Sequence, residues 1–120
     1  MPIFHKPALL YWTEHSKYKM RQYACSPSRA RRVMNAPKRV EEGIAPKTVA
    51  FMQPVSLKTK DGRVFWTQEF WVMAQDTKDA RGTRVRKIIS VWRYPGVTKA
   101  GRPLPKDFIR ELQNLIEEGS

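Results

Sequence analysis

The stretch Val64–Gln75, VFWTQEFWVMAQ, is the one on which the fold turns. Its apolar residues occupy both parities of an extended chain, the mark of a central strand covered on both faces. Upstream, Asp61-Gly62 is a two-residue hairpin turn. It joins this strand to an extended stretch from Thr48 to Lys60, in which Pro54 marks an edge position or a bulge. Downstream, a charged loop over 76–83 leads to Arg84–Tyr94 (RVRKIISVWRY), the third strand of an antiparallel meander. Tyr94-Pro95-Gly96 breaks that strand, and a basic Pro/Gly segment follows over 95–105. Phe108, Ile109, Leu112, Leu115 and Ile116 then form one helical stripe, which predicts a C-terminal helix over 106–117 docked on the sheet.

Working back to the N-terminus, Ala8–Trp12 (ALLYW) reads as a short strand. Thr13 is a helix N-cap with Glu14 in the first turn, and the helix runs to about Tyr23. Ser26-Pro27 opens a second helix as N-cap and N1. It turns Ala30, Val33 and Met34 inward and Arg29, Arg31 and Arg32 outward, and Pro37 ends it. The reading is one α+β domain over 1–120 with element order β-α-α-β-β-β-α. Two basic helices and a C-terminal helix pack against an antiparallel sheet.

Hydrophobic residues make up 41% of the chain, enough for a core and too many for a disordered tail. No apolar run approaches the ~20 residues of a membrane span. The lone cysteine, Cys25, excludes an internal disulfide and suits a reducing cytoplasm. Without HExxH, paired histidines or a cysteine cluster no metal site is expected, and without GxGxxG or a P-loop no cofactor.

Charge is the most informative property, with 23 Lys+Arg against 11 Asp+Glu, a net +12. It is patterned. Between Glu14 and Glu41 lie Lys17, Lys19, Arg21, Arg29, Arg31, Arg32, Lys38 and Arg39 with no acid among them. From Asp79 to Arg102 come Arg81, Arg84, Arg86, Lys87, Arg93 and Lys99, again with no acid between. Such stretches point to a polyanion, RNA first, because each neutralised phosphate releases counterions.

Trp12-Thr13-Glu14-His15 leading to Lys19-Met20-Arg21 places an arginine six residues after a histidine on the first helix. With Ser26–Val33 (SPSRARRV) and Ile88–Gly96 (IISVWRYPG), this resembles the RelE-like toxin superfamily, in particular the BrnT-type ribonuclease toxins and their uncharacterised relatives. The likeness spans roughly residues 9–96. It implies metal-independent endoribonuclease activity and neutralisation by an acidic antitoxin protein.

Metal-free RNA cleavage needs a base for the 2′-OH, cations for the developing phosphoryl charge and an acid for the leaving oxygen. His15 is the candidate acid or base, kept neutral by the positive end of its helix; a structural histidine is the competing reading. Arg93 and Tyr94, at a strand end, are candidates for charge stabilisation and for stacking or proton donation. Glu69, an acid within an apolar strand, is a candidate base or one half of an ion pair; a flush hairpin would put it on one face with Arg86 and Tyr94. Lys17, Lys19, Arg21, Arg29, Arg31, Arg32 and Lys87 are the candidate RNA contacts, with Lys17 and Arg21 one helical turn apart as a phosphate clamp. Phe65, Trp66, Phe70, Trp71 and Trp92 are assigned to the core. Two other functions share these residues: a non-catalytic RNA- or DNA-binding protein, and an adaptor for an acidic protein.

Overall fold

The computed structural model describes residues 9–42 and 47–100, together with Arg110 and Asn114. The first element of the described residues is β1 (Leu9–Trp12), and α1 (Glu14–Gln22) follows it. Thr13 is extended, and its side-chain oxygen accepts the N–H of Ser16 at 3.1 Å while donating to the Ile88 carbonyl at 2.8 Å. One side chain thus starts a helix and fastens it to a distant strand. Ser26 caps α2 (Pro27–Asn35) in the same way, accepting the N–H of Arg29 at 3.0 Å, with Pro27 in the first turn. Both helix starts, the inward set Ala30, Val33 and Met34, and the outward Arg31 and Arg32 follow the sequence reading.

Beyond α2 come β2 (Arg39–Glu42), β3 (Thr48–Pro54), β4 (Lys58–Lys60), β5 (Arg63–Phe65), β6 (Glu69–Lys78) and β7 (Arg84–Tyr94). Five of the strands form one sheet in the order β1-β7-β6-β3-β2; β4 and β5 make a separate two-stranded hairpin. One face of the sheet packs Phe70, Val72, Val91 and Ile88 against Met20, Ala30, Val33 and Met34 of the helices. The other face carries Met52, Met73, Trp71 and Trp92, the two indoles stacked with centroids 5.9 Å apart.

This architecture remains α+β but overturns the expected RelE-like β-α-α-β-β-β-α order, since two helices are joined by seven strands among the described residues. The sheet is mixed, not antiparallel: β1 runs parallel to β7, with Leu9 opposite Val85 and Trp12 opposite Ile88. The stretch 64–75 is not one strand. Pro54, lacking an N–H, ends β3, and a last rung from the Val55 N–H to the Gln68 carbonyl (2.9 Å) closes the sheet there. The chain between those residues leaves the sheet as the β4–β5 hairpin, turning at Asp61-Gly62 as the dipeptide predicts, both with positive φ (53° and 74°). In β2, with the sequence RVEE, only one residue is apolar, so edge pairing with β3 alone defines it. β6 continues to Lys78, which shortens the expected 76–83 loop to 79–83. Of the expected helix 106–117 only Arg110 and Asn114 are described, both helical and exposed; its apolar stripe lies outside the described residues, as does the end of the 95–105 segment.

A register shift between Met73 and Ala74 matters for the site, because Met73 faces Ser90 whereas Ala74 faces Ile88. The extra residue on β7, Ile89, inverts the facing of everything before it. Arg86 therefore lies on the helix side, over the Phe51 ring and ion-paired to Asp76 at 2.7 Å. It does not share a face with Glu69 and Tyr94, as a flush hairpin would have required.

Candidate functional site

The catalytic quartet of the sequence reading is divided by the sheet. Glu69 is directly opposite Tyr94, and Phe70 directly opposite Arg93, so Glu69 and Tyr94 share one face while Arg93 lies on the other. Glu69 is fully buried, and both carboxylate oxygens are occupied. Oε2 accepts Trp66 Nε1 at 2.8 Å; Oε1 accepts Trp71 Nε1 (3.1 Å), the Thr98 hydroxyl (2.7 Å) and the Thr98 N–H (3.2 Å). Four donors replace water around this carboxylate, so its role is to hold the Thr98 segment and two indoles to the strand. Tyr94 packs beside the same indole cluster, close enough to Gly96 that a β-carbon there would sit 3.1 Å from its ring. His15 is half-buried in the first turn of α1.

Cations gather on the helix side. The guanidiniums of Arg29 (α2) and Arg93 (β7) each lie 4.9 Å from the centroid of the Phe70 ring. Arg29 Nη2 donates to the carbonyls of Pro54 (2.6 Å) and Val55 (3.1 Å), which fixes α2 over the end of β3. Gln53 repeats the tie further along, its Nε2 donating to the carbonyls of Arg32 (3.1 Å) and Ala36 (2.9 Å). Burial lowers the pKa of Arg29 from its ordinary value, with Arg32 and Arg93 acting in the same direction and Cys25 opposing. Burial pushes the Cys25 thiol up to about 11, against the pull of Arg29, Arg93 and Arg32. Three arginines from two acid-free stretches therefore surround one point. No carboxylate pairs with any of them among the described residues.

A groove of about 580 Å³ opens beside this cluster, between the C-terminal half of α2 and the β4–β5 hairpin. Arg29, Arg32 and Lys38 supply its charge, Trp66, Leu57 and Val64 its apolar surface, and no acid lines it among the described residues. The Lys38 ammonium stands 5.9 Å from the Trp66 ring centroid. Trp66 reaches the groove because Glu69 holds its indole N–H from behind. No family model, curated protein or solved structure matches this chain.

The other expected contacts are dispersed. Lys17 and Arg21 do come together, lining a second cavity of about 410 Å³ at the α1–α2 junction, although Lys17 also pairs with Glu14 at 3.1 Å. Arg31 rests over the Trp12 ring and Lys19 over Tyr23. Lys87 on β7, opposite Gln75 on β6 and Tyr11 on β1, is remote from the groove in the sheet register. Arg39, from the first acid-free stretch, is held by Glu41 and by the Thr98 carbonyl at 2.7 Å. The sequence reading missed Lys38 and Trp66 as groove residues. Phe65, assigned to the core, is 38% exposed, and Trp66 is half-buried, because the hairpin carries the first away from the sheet and leaves the second at its base.

Proposed function

We propose that this protein binds single-stranded RNA in the groove between α2 and the hairpin. Arg29, Arg32 and Lys38 hold phosphates there, and Trp66 offers a ring on which a base stacks. The observation that carries the reading is the charge asymmetry: among the described residues Arg39 and Arg86 have their own carboxylates, whereas the groove's cations have none and share a wall with an indole. Cations that track a backbone beside a stacking aromatic are how single strands are bound without strict sequence preference. The resemblance of Trp12–Arg21 and Ser26–Val33 to BrnT-type toxins supports RNA as the polyanion, and an acidic protein of the antitoxin kind would compete for the same cations. A lone buried thiol fits a reducing cytoplasm.

The division of the quartet favours binding over cleavage, since the one carboxylate proposed as a base is saturated with donors. Fluorescence anisotropy with a labelled 15-residue oligouridine in EDTA tests this. The three phosphate contacts of the groove contribute about −2 to the slope of log K against log salt, and Arg32→Ala or Lys38→Ala makes the slope shallower by about 0.7 each. Affinity indifferent to salt and to both substitutions overturns the reading. Cleavage of the same oligonucleotide on a denaturing gel, lost in His15→Ala, would assign the metal-independent endoribonuclease instead.

A further inference from the structure

The β4–β5 hairpin is a wall with two different sides. Thr59 pairs with Val64, and Val64 with Leu57 lines the groove already described. On the opposite side, Lys58 pairs with Phe65 and Lys60 with Arg63, bringing three cations and one aromatic ring to a single surface. There Lys60, Arg63 and Phe65, with Asp61 at the tip, line a separate cavity of about 600 Å³. All six strand residues are exposed.

This arrangement is costly for a hairpin that serves only its own fold. Two strands of three residues are marginal in water, and like charges directly opposite each other weaken them further. A single lysine is enough to keep an edge from pairing with another chain. Three cations on one side, with Lys60 directly opposite Arg63, exceed that need, and a polyanion turns their mutual repulsion into attraction.

We infer that the hairpin's outer side is a second RNA subsite, in which Lys60 and Arg63 hold phosphates flanking a base stacked on Phe65. The inference rests on the groove reading and extends it. A strand long enough to leave the groove crosses the hairpin and is gripped on both sides, whereas a short one occupies the groove alone. The hairpin is then what sets the length of RNA bound.

The test compares labelled oligouridines of 5 and 15 residues on the full chain. The Lys60→Ala/Arg63→Ala double variant is expected to bind the 15-mer about tenfold more weakly, with a salt slope shallower by about 1.4, and to bind the 5-mer as the wild type does. Phe65→Ala is expected to weaken the 15-mer by about tenfold with its salt slope unchanged. An unchanged melting temperature in each variant ties the loss to contact and not to unfolding. Wild-type binding with no loss on the 15-mer overturns the subsite and leaves the groove standing. Equal losses on both lengths also overturn it, since they place the hairpin within the groove's own site. Wild-type protein that binds neither length overturns the groove and the subsite together. Equally tight binding of polyglutamate, indifferent to Phe65→Ala, overturns the stacking role and with it the proposal.

Discussion

Arg29 on α2 and Arg93 on β7 present their guanidiniums to the same phenylalanine ring, Phe70, each 4.9 Å from its centroid. The ring supplies a cation–π attraction to each, worth ~0.5–1 kcal/mol near a surface. It does not cancel the repulsion between two like charges held within about a Debye length (~10 Å at 0.1 M salt). Among the described residues no carboxylate relieves this repulsion, which is the electrostatic basis of the proposal that an anion binds here.

Arg93→Met is therefore expected to separate stability from binding. Removing one of two like charges leaves the melting temperature unchanged or raises it by ~1–3 °C, while RNA affinity at low salt falls about threefold to tenfold. Thermal unfolding and anisotropy on the same preparation check this, and a fall in melting temperature with unchanged affinity would contradict it.

Glu69 is expected to behave as a positioning residue. Glu69→Ala leaves two indole N–H groups and both donors of Thr98 without their acceptor, a loss of about 3 kcal/mol or more. Glu69→Gln keeps the shape but offers one oxygen in place of two, and costs ~1–3 kcal/mol. Chemical denaturation reads both. Because Trp66 is held by this carboxylate, emission of the Gln variant's tryptophans should also shift, and its RNA affinity should fall without any change of salt slope.

The Cys25 thiol gives a pH prediction whose sign follows from burial. Its pKa rises from the ordinary 9.0 to about 11 in the fold. The unfolded thiol ionises first, so the stability tied to the buried neutral form is complete below pH 9 and is lost as pH climbs from about 9 to about 11. Comparing melting curves of wild type and Cys25→Ala across that range isolates the loss, which reaches at most ~2–3 kcal/mol. Alkylation by iodoacetamide at pH 8 should be slow in the folded protein and fast in denaturant.

Thr13 and Ser26 are both N-caps, yet their substitutions should differ. Ser26→Ala removes an exposed cap and costs ~1 kcal/mol. Thr13→Val removes a buried cap and the bond that ties α1 to the Ile88 carbonyl, and costs ~2–3 kcal/mol. Equal effects in denaturant titrations would show that the bond to β7 contributes nothing.

Local chemistry was legible wherever a residue acts on its own neighbours. Thr13 and Ser26-Pro27 start helices because their side chains and fixed φ satisfy N–H groups within one turn, and Asp61-Gly62 turns because both tolerate positive φ. The stretch 64–75 misled for the opposite reason. Its apolar residues fit a single strand, but the proline at 54 stopped the partner strand, and Trp66 with its neighbours became the foot of a hairpin.

The chain's order of residues determined the helix starts, the tight turn, the strand Arg84–Tyr94 and two long tracts without acids, since all of these are settled by contacts a few residues long or by composition. Only the tertiary structure decided which cations meet. A one-residue bulge turned Arg86 toward Asp76, the fold brought Thr98 to Arg39 beside its neighbour Glu41 on the same strand, and the packing of α2 on β6 brought Arg29 to Arg93 around Phe70. Electrostatic partnership depends on distance in space, which strand register and helix docking set and which sequence spacing does not encode.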